Sequence, residues 1–133
     1  MKIDSTRVEI KATAEKTYRL VSNFNNFGRS LPAEVQNWQS TEHNCSFEIS
    51  GMAKIAIEII DKKEFESITY NLTANQPVGM TIIGKIEQVG DSCIASLHLD
   101  ADVPMALSMM MKKPLQNFVN VLVEKVKEVA EKE

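Results

Sequence analysis

The C-terminal residues 114–133 read PLQNFVNVLVEKVKEVAEKE. Apolar residues recur in this segment at helical spacing, and charged residues fill the opposite side, as in a helix that packs one face on a core. A helix of this size spans about 30 Å, about the length of nine residues of strand. The segment therefore predicts a long helix that covers one face of a sheet. Its apolar positions are Leu115, Phe118, Val119, Leu122, Val126 and Val129.

Four of the seven methionines lie just before this segment: Met105, Met109, Met110 and Met111. Methionine is unbranched and polarisable, so a cluster of it suits a soft core, a pocket wall or a surface that receives a partner. Pro104 can begin the helix, whereas Pro114 is expected to bend it. We expect Met105, Met109 and Met110 to face inward more than Met111.

Upstream, polar and apolar residues alternate from about Lys2 to Ala12, which predicts a first strand. Thr13 then reads as the N-cap of a short helix, with Glu15 in its first turn. Asparagines end that helix, and the stretch from Phe24 to Pro32 predicts a second helical turn, ended by Gly28 or Pro32.

From Val35 to about Ala101 the period changes to two, and turn residues separate short runs of alternating character. Six antiparallel strands follow from this pattern, each with one face toward water. The sequence places turns at 42–44, 61–64 and 75–77, and near Gly51 and Gly90.

A strand, two short helices, six strands and a long helix resemble the helix-grip fold of the superfamily of StAR-related lipid-transfer domains, birch-pollen-allergen-like proteins and polyketide cyclases. The residues that carry the resemblance are Val8-Glu9-Ile10 with Thr13-Ala14-Glu15, the Asn25 to Pro32 stretch, Trp38, and Pro114-Leu115-Gln116-Asn117-Phe118. The fold expected is α+β, with a curved seven-stranded antiparallel sheet wrapped around the C-terminal helix. One such domain would span residues 1–133. The plant branch of the superfamily has a glycine-rich loop between two central strands, but the corresponding turn here, residues 61–64, contains no glycine.

The resemblance implies a cavity between sheet and helix that binds a small hydrophobic molecule, lipid-like or polyketide-like. Because the inward faces offer few polar groups, we expect binding without catalysis. The residues expected to line it are almost all apolar: Phe24, Phe27, Leu31, Trp38, Phe47, Ile57, Tyr70, Met80, Ile82, Leu97, Met105, Met109, Met110 and Phe118. No cofactor or metal is implied.

Two alternatives stay open. A polyketide cyclase or hydratase would need ionisable groups in the cavity, where the sequence offers chiefly the Tyr70 hydroxyl and the thiols of Cys45 and Cys93. A protein-interaction module resembling the activators of a heat-shock ATPase would need an exposed apolar patch, such as Met109 to Met111.

Composition and charge argue against two classes of partner, nucleic acids and membranes that the chain would span. A net charge of -3, with no basic cluster longer than the Lys112-Lys113 pair, argues against nucleic acid. The absence of a long apolar stretch argues against stable membrane insertion. The N-terminal residues do not form a secretory signal, so a cytoplasmic location is expected, with Cys45 and Cys93 as buried thiols.

Three other sequence patterns could suggest a functional site, but each is better explained as part of the fold. Residues 79–85 superficially match a phosphate-binding loop, but Ile86 replaces the required hydroxyl residue and the segment alternates as a strand. His43 and Cys45 could supply two metal ligands, but a second pair is missing. His98 lies on a polar strand face and is expected to be solvated, without the positioned partner that a general base needs.

Overall fold

The structure, a computed structural model, describes residues 1–27, 35–49, 53–74 and 79–132. Within these residues the chain forms strands and helices in the expected order. The strands are β1 (Lys2–Asp4), β2 (Val8–Ile10), β3 (Val35–Ser40), β4 (Asn44–Ile49), β5 (Ala53–Lys63), β6 (Ser67–Ala74), β7 (Gly79–Val89) and β8 (Ser92–Asp102). The helices are α1 (Ala14–Val21), a 3-10 helix (Phe24–Phe27) and α2 (Met105–Lys132).

All described strands belong to one antiparallel sheet with the order β1-β8-β7-β6-β5-β4-β3, and β2 pairs with β8 beside β1. Since β1 and β2 share one edge position, the sheet is seven strands wide. The curved sheet and the long C-terminal helix confirm the expected α+β helix-grip fold.

The prediction of one continuous strand from Lys2 to Ala12 is wrong, because the strand breaks between β1 and β2. Ile3, at an odd-numbered position, is buried, and Val8 and Ile10, at even-numbered positions, are buried too. An unbroken strand cannot turn residues of both parities to one face. Ser5 lies at the break, where its backbone N–H donates to the Leu97 carbonyl and its Oγ accepts from the Leu97 N–H, each at 2.8 Å.

Helix α1 begins as its sequence predicts. Thr13 Oγ1 accepts from the backbone N–H of Lys16 at 3.1 Å, and Glu15 pairs with Arg19 at 2.8 Å. The helix gives way to the 3-10 turn at Phe24–Phe27, which is the second helical turn expected there. The proposed ends of that turn at Gly28 and Pro32 lie outside the described residues.

Among the described residues of β4 to β8, the alternation places the expected side chains inward, and the turn expected at 61–64 is misplaced. The turns expected near Gly51 and at 75–77 lie outside the described residues. β5 continues to Lys63, and the turn lies at residues 64–66, where Phe65 has a positive φ of 63°. The pairing of β5 with β6 shifts register between Ile59 and Asp61, which leaves Ile60 more than half exposed. This irregularity carries the strand past the charged residues that suggested a turn.

Helix α2 covers the inner face of the sheet. It begins at Met105, where the Pro104 carbonyl accepts from the Ser108 N–H at 3.0 Å, and it continues through Pro114 to Lys132. Its buried side chains among the described residues are Val119, Val123, Val129 and Ala130. No helix in the described part of the chain is long and apolar enough to cross a membrane.

Candidate ligand site

The interior between sheet and α2 contains two clusters of buried side chains. One cluster surrounds Ile10, Ile68 and Val123, and the other surrounds Leu72, Leu99 and Val119. Partly buried Ile59, Tyr70 and Leu97 pack against both clusters. The core is therefore divided into two clusters, which meet at these three side chains. We call this meeting point the junction.

A cavity of about 40 Å³ lies at this junction, between α1, α2 and the middle of the sheet. Since a drug-sized ligand needs roughly 300–1,000 Å³, this space holds only a few atoms. Most of its walls are apolar. The lining residues are Thr17, Val21, Ile68, Tyr70, Gly84, Lys85, Ile86, Ala95, Ser96, Leu97, Val123 and Val126.

Gly84 explains why space is left here. It occupies an interior position of β7, where a glycine leaves the strand without a side chain to pack. A Cβ built on it would lie 3.4 Å from Leu97 Cδ2 and 3.8 Å from Tyr70 Cε2. Leu97 and Tyr70 therefore reach into space that a larger residue would occupy.

The Tyr70 hydroxyl is the principal polar group at the junction. It donates to the backbone carbonyl of Val21, the last residue of α1, at 3.0 Å. Burial of the hydroxyl raises the pKa of Tyr70 far above its usual value, and the nearby Cys45 and Tyr18 raise it further. Tyr70 is therefore a neutral donor at physiological pH.

Both thiols are buried, as expected, and free. Burial raises the pKa of Cys45 to about 12, and it also raises the pKa of Cys93, whose Sγ lies 3.4 Å from Thr17 Oγ1. Because the thiolate is the nucleophile, protonated thiols of this kind are poorly reactive at neutral pH.

Of the residues expected to line a cavity, two border the space at the junction, Tyr70 and Leu97. Seven more belong to the second cluster or pack against it: Phe24, Trp38, Phe47, Ile57, Met80, Ile82 and Phe118. Trp38 stacks on Phe47 with ring centroids 5.7 Å apart, and Phe24 contacts Tyr70 at 5.8 Å. The side chain of Phe27 and the whole of Leu31 lie outside the described residues.

The prediction that Met105, Met109 and Met110 face inward is wrong. Their side chains are 83%, 82% and 75% exposed. Among the α2 side chains that the structure describes, the first to pack on the clusters are Leu115 and Phe118. Of the apolar patch expected at Met109 to Met111, Met109 and Met110 are exposed, and the side chain of Met111 lies outside the described residues.

Sequence reasoning did not select several lining residues. Gly84 was recognisable, because a glycine inside a strand often marks a close approach or missing packing. Thr17 was not, because the pattern of α1 assigns it no chemistry, and it lies buried beside Cys93.

A larger groove of about 370 Å³ lies on the other side of the sheet, across β3 to β6. It is open, and most of its side chains are polar. Three of them interact with one another, because Asn37 contacts Glu48, which also pairs with Lys54 at 3.7 Å. Asn37 adopts a positive φ of 56° at an irregularity between β3 and β4. The groove is an open, mostly polar surface feature and does not match an apolar ligand.

His98 has partners that the sequence did not reveal. It lies on the polar face, where its Nδ1 is 2.7 Å from Asp4 Oδ1 and its Nε2 is 3.0 Å from Ser96 Oγ. Because a carboxylate only accepts, Nδ1 carries the proton, and Ser96 donates to Nε2 when the ring is neutral. The Asp4 side chain is 72% exposed, so water screens its charge. We interpret the contacts among Asp4, His98 and Ser96 as hydrogen bonds that hold β1 against β8.

The other weak motifs have structural roles. Residues 79–85 lie in β7, and His43 is exposed while Cys45 is buried. Among the residues that the structure describes, no three His, Cys, Asp or Glu side chains are placed to hold a metal ion.

Known structures share this architecture. A START superfamily protein from Mycobacterium smegmatis has a TM-score of 0.68 at 16% identity, covering 98% of this chain and 94% of that one. Truncated norcoclaurine synthase from Thalictrum flavum has a TM-score of 0.76 at 12% identity, covering 99% and 91%. The Aha1 protein from Colwellia psychrerythraea, solved as a dimer in solution, has a TM-score of 0.65 at 15% identity, covering 98% and 96%.

No protein-family model and no curated protein matches the sequence. At these identities the likeness concerns the fold, while function depends on the site. The chain therefore shares the helix-grip fold of the StAR-related and birch-pollen-allergen-like proteins that its sequence resembles.

Proposed function

We propose that the protein binds a small apolar molecule, lipid-like or polyketide-like, between the sheet and α2, without catalysing a reaction on it. The observation that carries this proposal is the cavity at Gly84, Tyr70 and Leu97, where the two core clusters meet. A ligand there would contact mostly apolar side chains, together with the Tyr70 hydroxyl, which is the principal polar group of the cavity.

Binding requires the cavity to widen, because about 40 Å³ is too small for such a ligand. The side chains best able to move are those already partly exposed, namely Tyr70, Leu97 and Phe118. Their displacement would extend the cavity into the second cluster, where the expected lining residues Phe47, Ile82 and Phe118 lie.

The hydroxyl of Tyr70 and the two buried thiols support binding without catalysis. Tyr70 is held neutral and already donates to Val21, and the two thiols have raised pKa values. A general acid or base works best with a pKa near the operating pH, which none of these groups has. The buried free thiols also fit the cytoplasmic location that the proposal assumes.

The first test is a titration with a fluorescent naphthalene-sulfonate probe. We expect saturable binding of one probe per chain and displacement of the probe by a long-chain fatty acid. Native mass spectrometry of the purified protein would show any apolar molecule that it retains. The absence of saturation, together with a crystal structure whose junction is filled by side chains, would contradict the proposal.

A further inference from the structure

The first two and a half turns of α2 carry an exposed ridge. Met105 and Met109 are one turn apart, Met110 follows, and Lys112 and Lys113 begin the next turn. All five side chains are exposed, although the three methionines are large and apolar. We call these five residues the methionine-lysine ridge.

The charge of α2 is divided between its halves. Residues 103–123 contain Lys112 and Lys113 and no acidic residue, whereas all the glutamates of the helix follow. The lysines of the second half pair with those glutamates, as Lys127 does with Glu131 at 2.6 Å. Within the described residues, Lys112 and Lys113 have no carboxylate partner. The ridge is thus a local positive charge on a chain of net charge -3.

We propose that the methionine-lysine ridge docks on the surface of an anionic lipid bilayer. Flexible apolar side chains beside unpaired lysines form the combination that lies in a membrane interface, with the apolar tips among the acyl chains and the ammonium groups at the headgroups. The remainder of the chain carries net negative charge, so an anionic surface attracts this end of the molecule and repels the rest.

The shape of the ridge favours a bilayer over a folded protein. Side chains 75–83% exposed on the start of a helix form a convex surface, and a protein partner would need a matching groove to bury them. A fluid interface adapts to a convex surface without such a groove. This docking is separate from the cavity at Gly84, so either property can fail without the other.

The experiment is co-sedimentation with vesicles of phosphatidylcholine alone and of phosphatidylcholine with about 30% phosphatidylserine. We expect the protein to sediment with the anionic vesicles, and binding to fall steeply as salt rises from about 0.1 M to about 0.5 M. The triple variant Met105→Gln/Met109→Gln/Met110→Gln and the double variant Lys112→Ser/Lys113→Ser should each weaken binding roughly tenfold.

Two matched controls lie on the same helix. Val121→Gln removes an apolar side chain that is 49% exposed, and Lys132→Ser removes an exposed lysine that pairs with Glu128. Both should bind vesicles as the wild type does. Because every substitution is at an exposed position, circular dichroism and thermal melting should show an unchanged fold.

Several results would overturn the proposal. These are no binding to anionic vesicles, equal binding to neutral vesicles, or equal losses in ridge and control variants. Ridge-dependent self-association in analytical ultracentrifugation, without vesicle binding, would identify a second copy as the occupant and overturn it too. Retained probe binding in the ridge variants would show that the internal site is intact.

Discussion

Tyr70 connects the sheet to α1 through one hydrogen bond. The last carbonyl groups of a helix have no partner within it, and the Tyr70 hydroxyl satisfies that of Val21. The alternation of β6 was enough to predict that Tyr70 faces inward. Its partner was not predictable, because Val21 is 49 positions away in the sequence and offers only a backbone atom.

Tyr70→Phe should lower the free energy of unfolding by about 0.5–1.5 kcal/mol, because it removes this bond and keeps the ring. Tyr18→Phe is the control, since the Tyr18 hydroxyl has no hydrogen-bond partner among the described residues. Urea denaturation of both variants measures the difference. Equal stability of the two variants would show that the Tyr70 bond contributes nothing.

Helix α2 is fastened to the broken first strand by two side chains one turn apart. Asn120 Oδ1 accepts from the Thr6 backbone N–H at 3.0 Å, and Gln116 Nε2 donates to the Asp4 carbonyl at 2.7 Å. Asp4 is the last residue of β1 and Thr6 lies between β1 and β2, so side chains of α2 bind backbone groups at the break.

The break between β1 and β2 was partly predictable from the sequence, but the hydrogen bonds from α2 to the backbone there were not. Ile3 and Val8 have opposite parity, which an unbroken strand with one inner face does not allow. Gln116 and Asn120, however, look like ordinary polar residues of a solvated helix face. Only the packed arrangement brings them to residues 112 and 114 positions away.

Asn120→Ala should destabilise the protein by about 0.5–1.5 kcal/mol, because it leaves the Thr6 N–H without its protein acceptor. Asn117→Ala on the exposed face of the same helix should stay within about 0.5 kcal/mol of the wild type. Urea denaturation provides the free energies, and hydrogen exchange at Thr6 should accelerate only in the Asn120 variant. Unchanged exchange there would mean that the bond does not form in solution.

For the whole molecule, periodicity was sufficient to predict the fold. Six runs of period two and one long run of helical period permit few arrangements other than a sheet covered by a helix. The orientation of the methionines was not predictable in this way. Helical spacing continues through Met105 and Met109, but it does not reveal that both side chains are exposed to solvent.

The position of the cavity likewise depends on how distant parts of the chain pack together. Alternation placed Tyr70 and Leu97 on the inner face, yet the division of the core into two clusters arises from how α1 and α2 meet the sheet. The expected lining residues therefore fall mostly within a packed cluster. The cavity lies beside them, where Gly84 provides no side chain.

The most direct measurement compares probe affinity in two single variants. Gly84→Val fills the junction from an interior strand position, and it should weaken naphthalene-sulfonate binding by roughly fivefold or more, on the order of 1 kcal/mol. Gly84→Ala should act in the same direction if valine disturbs the fold. Met110→Lys changes an exposed side chain and should leave affinity unchanged within about twofold. Wild-type affinity in Gly84→Val, or lost affinity in Met110→Lys, would contradict a ligand site between the sheet and α2.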